Sequence, residues 1–234
     1  MNRRSALVVL PDPQALAQRV ARWMTDIACA KKGEFAVALS GGSTPRTLYQ
    51  LLAGQFAQQF PWLRVDWFWG DERFVSHDDP QSNYRMAQQA MLSRAPTPRI
   101  HPVPTKGTAA ESAMAYEREL KRFYDADHLD PARPLFDLVL LGLGADGHTG
   151  SLFPGSPALE ERRRWTAAVE TQQPERITLT YPALESAAHT AFLVAGTDKR
   201  DALRGLLDGD STLPAARLKP TGDLHIFADK AAVG

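Results

Sequence analysis

Short apolar runs alternate along this chain with longer segments in which apolar residues recur at helical spacing. Four runs are apolar nearly throughout and are short enough to be strands buried on both faces of a sheet: 6–10, 35–39, 65–69 and 136–141. Apolar residues recur at helical spacing over 13–27, after 45, and over 82–94, 108–124 and 197–207. Thr197 is expected to cap the last of these helices. The alternation predicts an α/β fold, a doubly wound and mostly parallel sheet flanked by helices.

Additional strand-like runs occur in the last third of the chain. They lie at 165–169, 177–180, 190–194 and 224–227 and have strand composition. We expect a few of these smaller strands to be antiparallel. No internal repeat, low-complexity tract or interdomain linker interrupts the pattern, so residues 1–234 are predicted to form a single domain.

The strand at 136–141 ends in a glycine-rich segment that carries two candidate catalytic residues, Asp146 and His148. In open α/β sheets ligands bind beyond the carboxyl ends of the strands, so this segment is where chemistry is expected first. A histidine titrates near neutrality and can take a proton from water, and Asp146 could fix its tautomer. Asp71, which follows the 65–69 strand, is a second candidate acid or base; alternatively, it forms a structural ion-pair cluster with Glu72 and Arg73.

A second glycine-rich loop follows the 35–39 strand and precedes a helix. Its residues are Ser40, Gly41, Gly42, Ser43 and Thr44. A loop of this kind binds phosphate through backbone N–H groups, a helix N-terminus and hydroxyl donors. Two cations accompany the loop: Arg176 precedes the predicted strand at 177–180, and Lys199 lies in the first turn of the helix after Gly196. Together with the loop they predict a phosphate site. The loop lacks the lysine of a nucleoside triphosphate loop.

Residues 142–147 also match the G-x-G-x-x-G pattern of dinucleotide-binding proteins. That pattern requires a helix directly after the glycines, with its N-terminus against the pyrophosphate. The segment from 148 to 157 contains two further glycines and two prolines, which do not favour a helix. We therefore expect no nicotinamide cofactor here.

Charge and composition narrow the choice of partner. Lys plus Arg and Asp plus Glu number 27 each, so no net field attracts nucleic acid or an anionic membrane, and we expect neither as a partner. No apolar span is long enough for a membrane helix, which predicts a cytoplasmic protein. The single cysteine, Cys29, is expected to be packed in the core. The spacing of the histidines and acidic residues does not match a metal site, and no metal or other cofactor is expected.

Five motifs in order resemble those of the 6-phosphogluconolactonases, and the resemblance covers nearly the whole chain. They are SGGSTP at 40–45, GDER at 70–73 followed by SNY at 82–84, GLGADGHTGSLFP at 142–154, RITLT at 176–180 and GTDK at 196–199. Glucosamine-6-phosphate deaminases are similar in arrangement, but there a segment such as IAFNEP follows the histidine. Gly150 stands where the lactonase pattern usually has alanine or another small residue.

The resemblance implies hydrolysis of 6-phosphoglucono-δ-lactone to 6-phosphogluconate in the oxidative pentose phosphate pathway, without a cofactor and with His148 as general base. From the residues themselves, we expect Arg73 or backbone amides to stabilise the oxyanion. Two alternatives stay open: a deaminase or isomerase of an amino-sugar phosphate that uses His148 with Asp71, and a non-catalytic sugar-phosphate sensor. The presence of both Asp146 and His148 argues against a sensor, which needs no base. The small-molecule substrate is the expected partner, and the protein is expected to be a monomer or a small homo-oligomer.

Overall fold

A computed structural model describes residues 5–96 and 98–234, and within them the strands form one large and one small sheet. In chain order the strands are β1 Ser5–Leu10, β2 Phe35–Leu39, β3 Val65–Trp69, β4 Asp71–Arg73, β5 Arg99–Ile100, β6 Phe136–Gly142, β7 Thr166–Val169, β8 Arg176–Leu179, β9 Ala187–Val194 and β10 Asp223–Asp229. The large sheet is parallel throughout, in the order β1-β10-β9-β6-β2-β3-β5. The small sheet is antiparallel, in the order β4-β8-β7. The predicted fold class, including its smaller antiparallel strands, is confirmed.

Helices connect the parallel strands and cover the large sheet. They are α1 Pro13–Ala30, α2 Ser43–Ala53, α3 Asn83–Ala90, α4 Ala109–Tyr124, α5 Tyr181–Glu185, α6 Arg200–Asp208 and α7 Lys230–Val233. Several of these helices begin at an N-cap residue whose side chain accepts a hydrogen bond from an N–H group of the first turn. These residues are Asp12 for α1, Ser82 for α3 and Thr108 for α4. No helix among the described residues is long and apolar enough to cross a membrane.

The hydrophobic core lies on both faces of the central strands. Every residue of β2 and β3 is buried, and in β6 only the terminal Gly142 is partly exposed. Because helices cover both faces, these strands are apolar nearly throughout rather than alternating, with Asp66 and Asp137 as the buried exceptions, and this is the pattern that identified them. The same burial fixes the positions at which the loops after β2 and β6 emerge from the sheet.

Three local predictions are wrong. No strand was predicted at 71–73, because three residues are too few to give a periodic signal, yet these residues form β4, which pairs with β8 more than 100 positions later. Thr197 does not cap the helix, because it begins a 3₁₀ turn, Thr197–Lys199, that precedes α6; Gly196 is the cap residue of that turn and Lys199 is the cap residue of α6. Cys29 is exposed, because it lies on the outer side of α1.

Candidate active site

A pocket of about 430 Å³ opens at the carboxyl ends of β2, β6 and β9. All the sequence-predicted site residues except Asp146 line it: Ser40, Gly41, Gly42, Ser43, Thr44, Asp71, Arg73, His148, Arg176 and Lys199. Asp146 does not line the pocket but contacts His148, which does. The candidate residues, which are spread over 160 positions of the sequence, therefore meet at one place, where the ends of parallel strands lead into loops.

His148 is held by the carboxylate of Asp146. Its Nδ1 atom lies 2.5 Å from Asp146 Oδ1, and its backbone N–H donates to the same oxygen at 3.1 Å. Burial favours a higher pKa for Asp146, but the hydrogen bonds from the ring and backbone of His148 outweigh it, and the pKa of Asp146 is lowered. The carboxylate is therefore ionised at neutral pH and can accept a hydrogen bond from Nδ1–H, and in that tautomer Nε2 is the ring nitrogen available for chemistry.

The loop that presents His148 is closed by its own backbone. Gly144 N–H donates to His148 O at 2.8 Å, and Gly147 N–H donates to Gly144 O at 3.0 Å. Gly147 has φ of 80°, a conformation that favours glycine. A side chain at Gly144 would collide with the site, because a Cβ atom there would lie 2.0 Å from His148 Nδ1 and 2.5 Å from Asp146 Oδ1. Gly144 and Gly147 therefore make room for the His148–Asp146 pair and allow the loop to turn. The helix that a dinucleotide-binding pattern requires after its glycines is absent from residues 148–156.

The glycine loop, residues 40–44, turns directly into α2. Gly42 has φ of 108° and precedes Ser43, the first residue of the helix. A proline suits the first helical position, but Pro45 is the third residue of α2. Tyr49 anchors the loop: its hydroxyl donates to Ser40 O at 2.8 Å and accepts from Ser40 N–H at 3.0 Å. The first N–H groups of a helix have no partner within it, so the start of α2 offers hydrogen-bond donors to the pocket.

Arg73 and Arg176 lie opposite each other in the antiparallel pairing of β4 with β8, and both line the pocket. Arg73 donates from Nη1 to Gln81 O, while its Nε is buried with no hydrogen-bond partner. Burial, followed by the neighbouring Arg73 guanidinium, lowers the pKa of Arg176, and the nearby carboxylates of Asp71 and Glu72 oppose this. Two guanidinium groups on one wall, one with an unpaired donor, form an environment suited to an anion.

Lys199 adds a third cation to the pocket from the 3₁₀ turn before α6. Its Nζ lies 3.0 Å from Asp198 Oδ2, and the Asp198 side chain is 64% exposed. An ion pair with so exposed a partner is weak and leaves the ammonium able to bind another anion.

Asp71 and Glu72 belong to one buried hydrogen-bond network. Asp71 accepts from Ser151 Oγ at 2.7 Å, and its backbone carbonyl accepts from Asn83 Nδ2 at 2.9 Å. Glu72 binds the N–H groups of Asn83 and Tyr84, both at 2.7 Å, at the start of α3. Burial raises the pKa of Glu72, and these N–H groups act in the opposite direction. The carboxyl of Asp71 lines the pocket, whereas Glu72 fixes α3 to β4.

Three polar residues of the site, Asn83, Ser151 and Gln172, were not singled out as site residues from the sequence. Asn83 and Gln172 line the pocket, and Ser151 holds Asp71. Asn83 also lies against Gly41, where a Cβ atom would be 2.1 Å from Asn83 Oδ1. Asn83 and Ser151 fall inside the motifs at 82–84 and 142–154, which is the signal that could have found them, whereas Gln172 lies in a connection without any motif.

The fold and the pocket together define an α/β protein that can bind an anionic small molecule beside a histidine–aspartate pair. The family described as glucosamine-6-phosphate isomerases/6-phosphogluconolactonase matches residues 11–226. The 6-phosphogluconolactonase of Nostoc sp. is 41% identical, with 98% of this chain and 97% of the relative covered, and that of Synechocystis sp. is 42% identical over 88% and 86%. The solved structure of 6-phosphogluconolactonase from Trypanosoma cruzi superposes with a TM-score of 0.85 at 31% identity, covering 99% of this chain and 97% of the other. The chain belongs to the glucosamine-6-phosphate isomerase/6-phosphogluconolactonase family, as its sequence motifs indicated.

Proposed function

We propose that this protein is a 6-phosphogluconolactonase that hydrolyses 6-phosphoglucono-δ-lactone to 6-phosphogluconate. The observation that carries the proposal is that an imidazole oriented by a carboxylate shares one pocket with a glycine loop and three cations. The relatives described above support the same assignment, since each is named for this activity. The substrate has a phosphate at one end and an electrophilic lactone carbonyl at the other, and the pocket has matching groups for both.

The phosphate is held by the glycine loop, Arg176 and Lys199. The N–H groups at the start of α2 and the hydroxyls of the loop donate hydrogen bonds, and the two side chains supply positive charge. Arg73 lies beside Arg176 and has its Nε without a protein partner. We assign Arg73, together with backbone amides of the pocket, to the carbonyl oxygen on which negative charge develops.

His148 serves as the general base. With Nδ1–H directed at Asp146, Nε2 takes a proton from water as the water oxygen bonds to the lactone carbonyl carbon. The tetrahedral intermediate then collapses, the bond between the carbonyl carbon and the ring oxygen breaks, and His148 returns the proton to that oxygen. The products are one carboxylic acid, which ionises in water, and one hydroxyl group.

Asp71 is the second acid or base candidate. Its carboxylate lines the pocket and is fixed by Ser151, and its negative charge acts on Arg176. For lactone hydrolysis one base that also returns the proton is sufficient, so we assign Asp71 to orienting the arginine wall. In a deaminase or isomerase of an amino-sugar phosphate, by contrast, Asp71 would share proton transfer with His148.

The experiment is an assay with freshly prepared 6-phosphoglucono-δ-lactone, corrected for spontaneous hydrolysis, in parallel with an ammonia-release assay on glucosamine 6-phosphate. The proposal predicts lactone hydrolysis well above the blank and no ammonia release. Ammonia release without lactone hydrolysis would identify a deaminase. Binding of 6-phosphogluconate with neither activity would identify a sensor, and either result overturns the proposal.

Two broader assignments belong to the same proposal. Residues 1–234 act as one catalytic domain, which is supported by a pocket that draws on residues from 40 to 199 and by the family match over 11–226. The enzyme works in the cytoplasm, which is supported by a sequence with a single cysteine and therefore no disulfide within the chain.

A further inference from the structure

Three potential metal ligands meet on one face of the large sheet, away from the pocket. His189 lies on β9, and Asp223 and His225 lie two positions apart on β10. Asp223 pairs directly with His189 in the parallel register, so the three side chains project from the same face. One ligand atom from each residue lies within 4.8 Å of the others.

The two imidazoles of this cluster have ring nitrogens that the protein does not satisfy. Nδ1 of His189 and Nε2 of His225 are buried and have no hydrogen-bond partner. A buried polar atom without a partner destabilises a fold, and its presence in a structure needs an explanation. Coordination of a metal ion through a ring nitrogen would give such an atom its partner.

Packing against α1 holds both imidazole rings in place. The ring of Trp23 lies 4.6 Å from that of His225 and 5.9 Å from that of His189, and the two imidazoles are 5.5 Å apart. Rings fixed in this way lose little freedom when an ion binds. All three potential ligands are partly exposed, so an ion can enter from solvent.

Both acidic and basic side chains lie near the cluster. Asp223 and Asp137 place negative charge near His189, and Asp137 is ion-paired with Lys31. Arg19 places positive charge near His225, with its guanidinium 6.0 Å from the ring centroid of Phe227. A ligand set of two imidazoles and one carboxylate suits a divalent transition metal better than it suits Mg²⁺ or Ca²⁺, which prefer oxygen ligands.

We propose that His189, Asp223 and His225 bind a divalent transition metal of the Zn²⁺ class, with water completing the coordination. The ion would join β9 to β10 near the start of both strands. The catalytic pocket lies at the opposite ends of the strands, since Leu193 and Ala195 line it. Four to six residues of β-strand separate the two places, roughly 13–20 Å, so the metal acts on stability rather than on the reaction.

The test uses the full chain without an affinity tag, freed of metal with a chelator, and Zn²⁺ alone as the probe. Calorimetric titration is expected to give one ion per chain. The midpoint temperature of thermal unfolding, Tm, is expected to rise by about 5–10 °C at a free Zn²⁺ concentration of about 100 times Kd. Co²⁺ is expected to bind at the same place and to give a visible absorption band that Zn²⁺ displaces.

Variants of the proposed ligands test where the ion binds. His225→Asn and Asp223→Asn are each expected to weaken Zn²⁺ binding by about 100-fold or more, whereas His128→Asn, which removes an exposed histidine elsewhere, is expected to leave it unchanged. Asp223→Asn is nearly isosteric and keeps the test valid if the histidine variant does not fold. The proposal is overturned if the wild type does not bind Zn²⁺, if both cluster variants bind as the wild type does, or if His148→Asn abolishes binding instead.

Discussion

Asp146 Oδ1 lies 2.5 Å from His148 Nδ1 and also accepts the backbone N–H of His148, so one carboxylate oxygen orients both the ring and the loop that carries it. This contact fixes which nitrogen of the imidazole faces the pocket. It is the feature on which the proposed base depends, because a rotated or opposite tautomer would present N–H to the substrate in place of a lone pair.

Replacing Asp146 tests that relationship. Asp146→Ala removes the acceptor of Nδ1–H and is expected to lower kcat by about 10²-fold, since a small misplacement of a reacting group has an effect of that size. Asp146→Asn retains an oxygen acceptor and is expected to be the less damaged variant. Steady-state kinetics on the lactone compare the two. Equal, wild-type rates for both would show that the carboxylate does not orient the base.

Gly144 is expected to be required for geometry rather than for flexibility. In Gly144→Ala the new methyl group would lie 2.0 Å from His148 Nδ1, so the ring must move and kcat should fall by about 10²-fold. Gly33→Ala is the matched control: Gly33 has φ of 82° and no atom within 4 Å of a new Cβ, so the change costs stability, about 1 kcal/mol, but not turnover. Kinetics and urea unfolding of both variants check this. A Gly144→Ala enzyme with normal kcat would contradict the account.

Arg176 is expected to contribute to substrate binding through charge. Arg176→Met removes one of the cations that line the pocket and should raise KM for the phosphorylated lactone by about 10- to 100-fold, the range for loss of a hydrogen bond to a charged group. Arg200→Met is the control, because the Arg200 side chain is exposed and donates from Nε to Ala231 O. A KM within twofold of the wild-type value in Arg176→Met would remove this residue from the phosphate site.

His101 is expected to make stability depend on pH. Its ring lies 2.7 Å from Glu119 Oε1 and 3.1 Å from Asp66 Oδ1. Burial favours a lower pKa, but these two carboxylates outweigh it, so the pKa of His101 is raised above 6.5. A raised pKa in the folded state means that the contribution is complete below about pH 6.5 and is lost as the pH rises through the folded value.

Urea unfolding of His101→Gln at two pH values measures this contribution. We expect the variant to lose about 2 kcal/mol of unfolding free energy at pH 5.5 and distinctly less at pH 9. His128→Gln, an exposed histidine, serves as the control at both pH values. Equal losses by His101→Gln at pH 5.5 and pH 9 would show that the charged form of the ring is not what stabilises the fold.

The buried strands and the loops that follow them were predictable because their signals are local. β6 is an apolar run broken only by Asp137, and the glycines after it place Asp146 and His148 beyond its end. The same argument brought residues 40–44 to the pocket. Pairings between distant segments were not predictable. β4 is three residues long and gives no periodicity, and its pairing with β8 is what sets Arg73 opposite Arg176.

The cluster of His189, Asp223 and His225 was missed for a related reason. His189 is 34 positions from Asp223 in the sequence, which matches no metal-ligand spacing. The two become neighbours only through the register of β9 with β10. A parallel register depends on the packing of the whole sheet and cannot be read from either strand alone.

The most direct test of the catalytic account is the rate of lactone hydrolysis by His148→Ala, with binding of 6-phosphogluconate measured on the same preparation. The account predicts a fall in kcat of about 10²- to 10⁴-fold, the usual contribution of a general base, with binding of the product retained. His128→Ala, assayed in parallel, should keep the wild-type rate. Full activity in His148→Ala would contradict the assignment of His148 as the base.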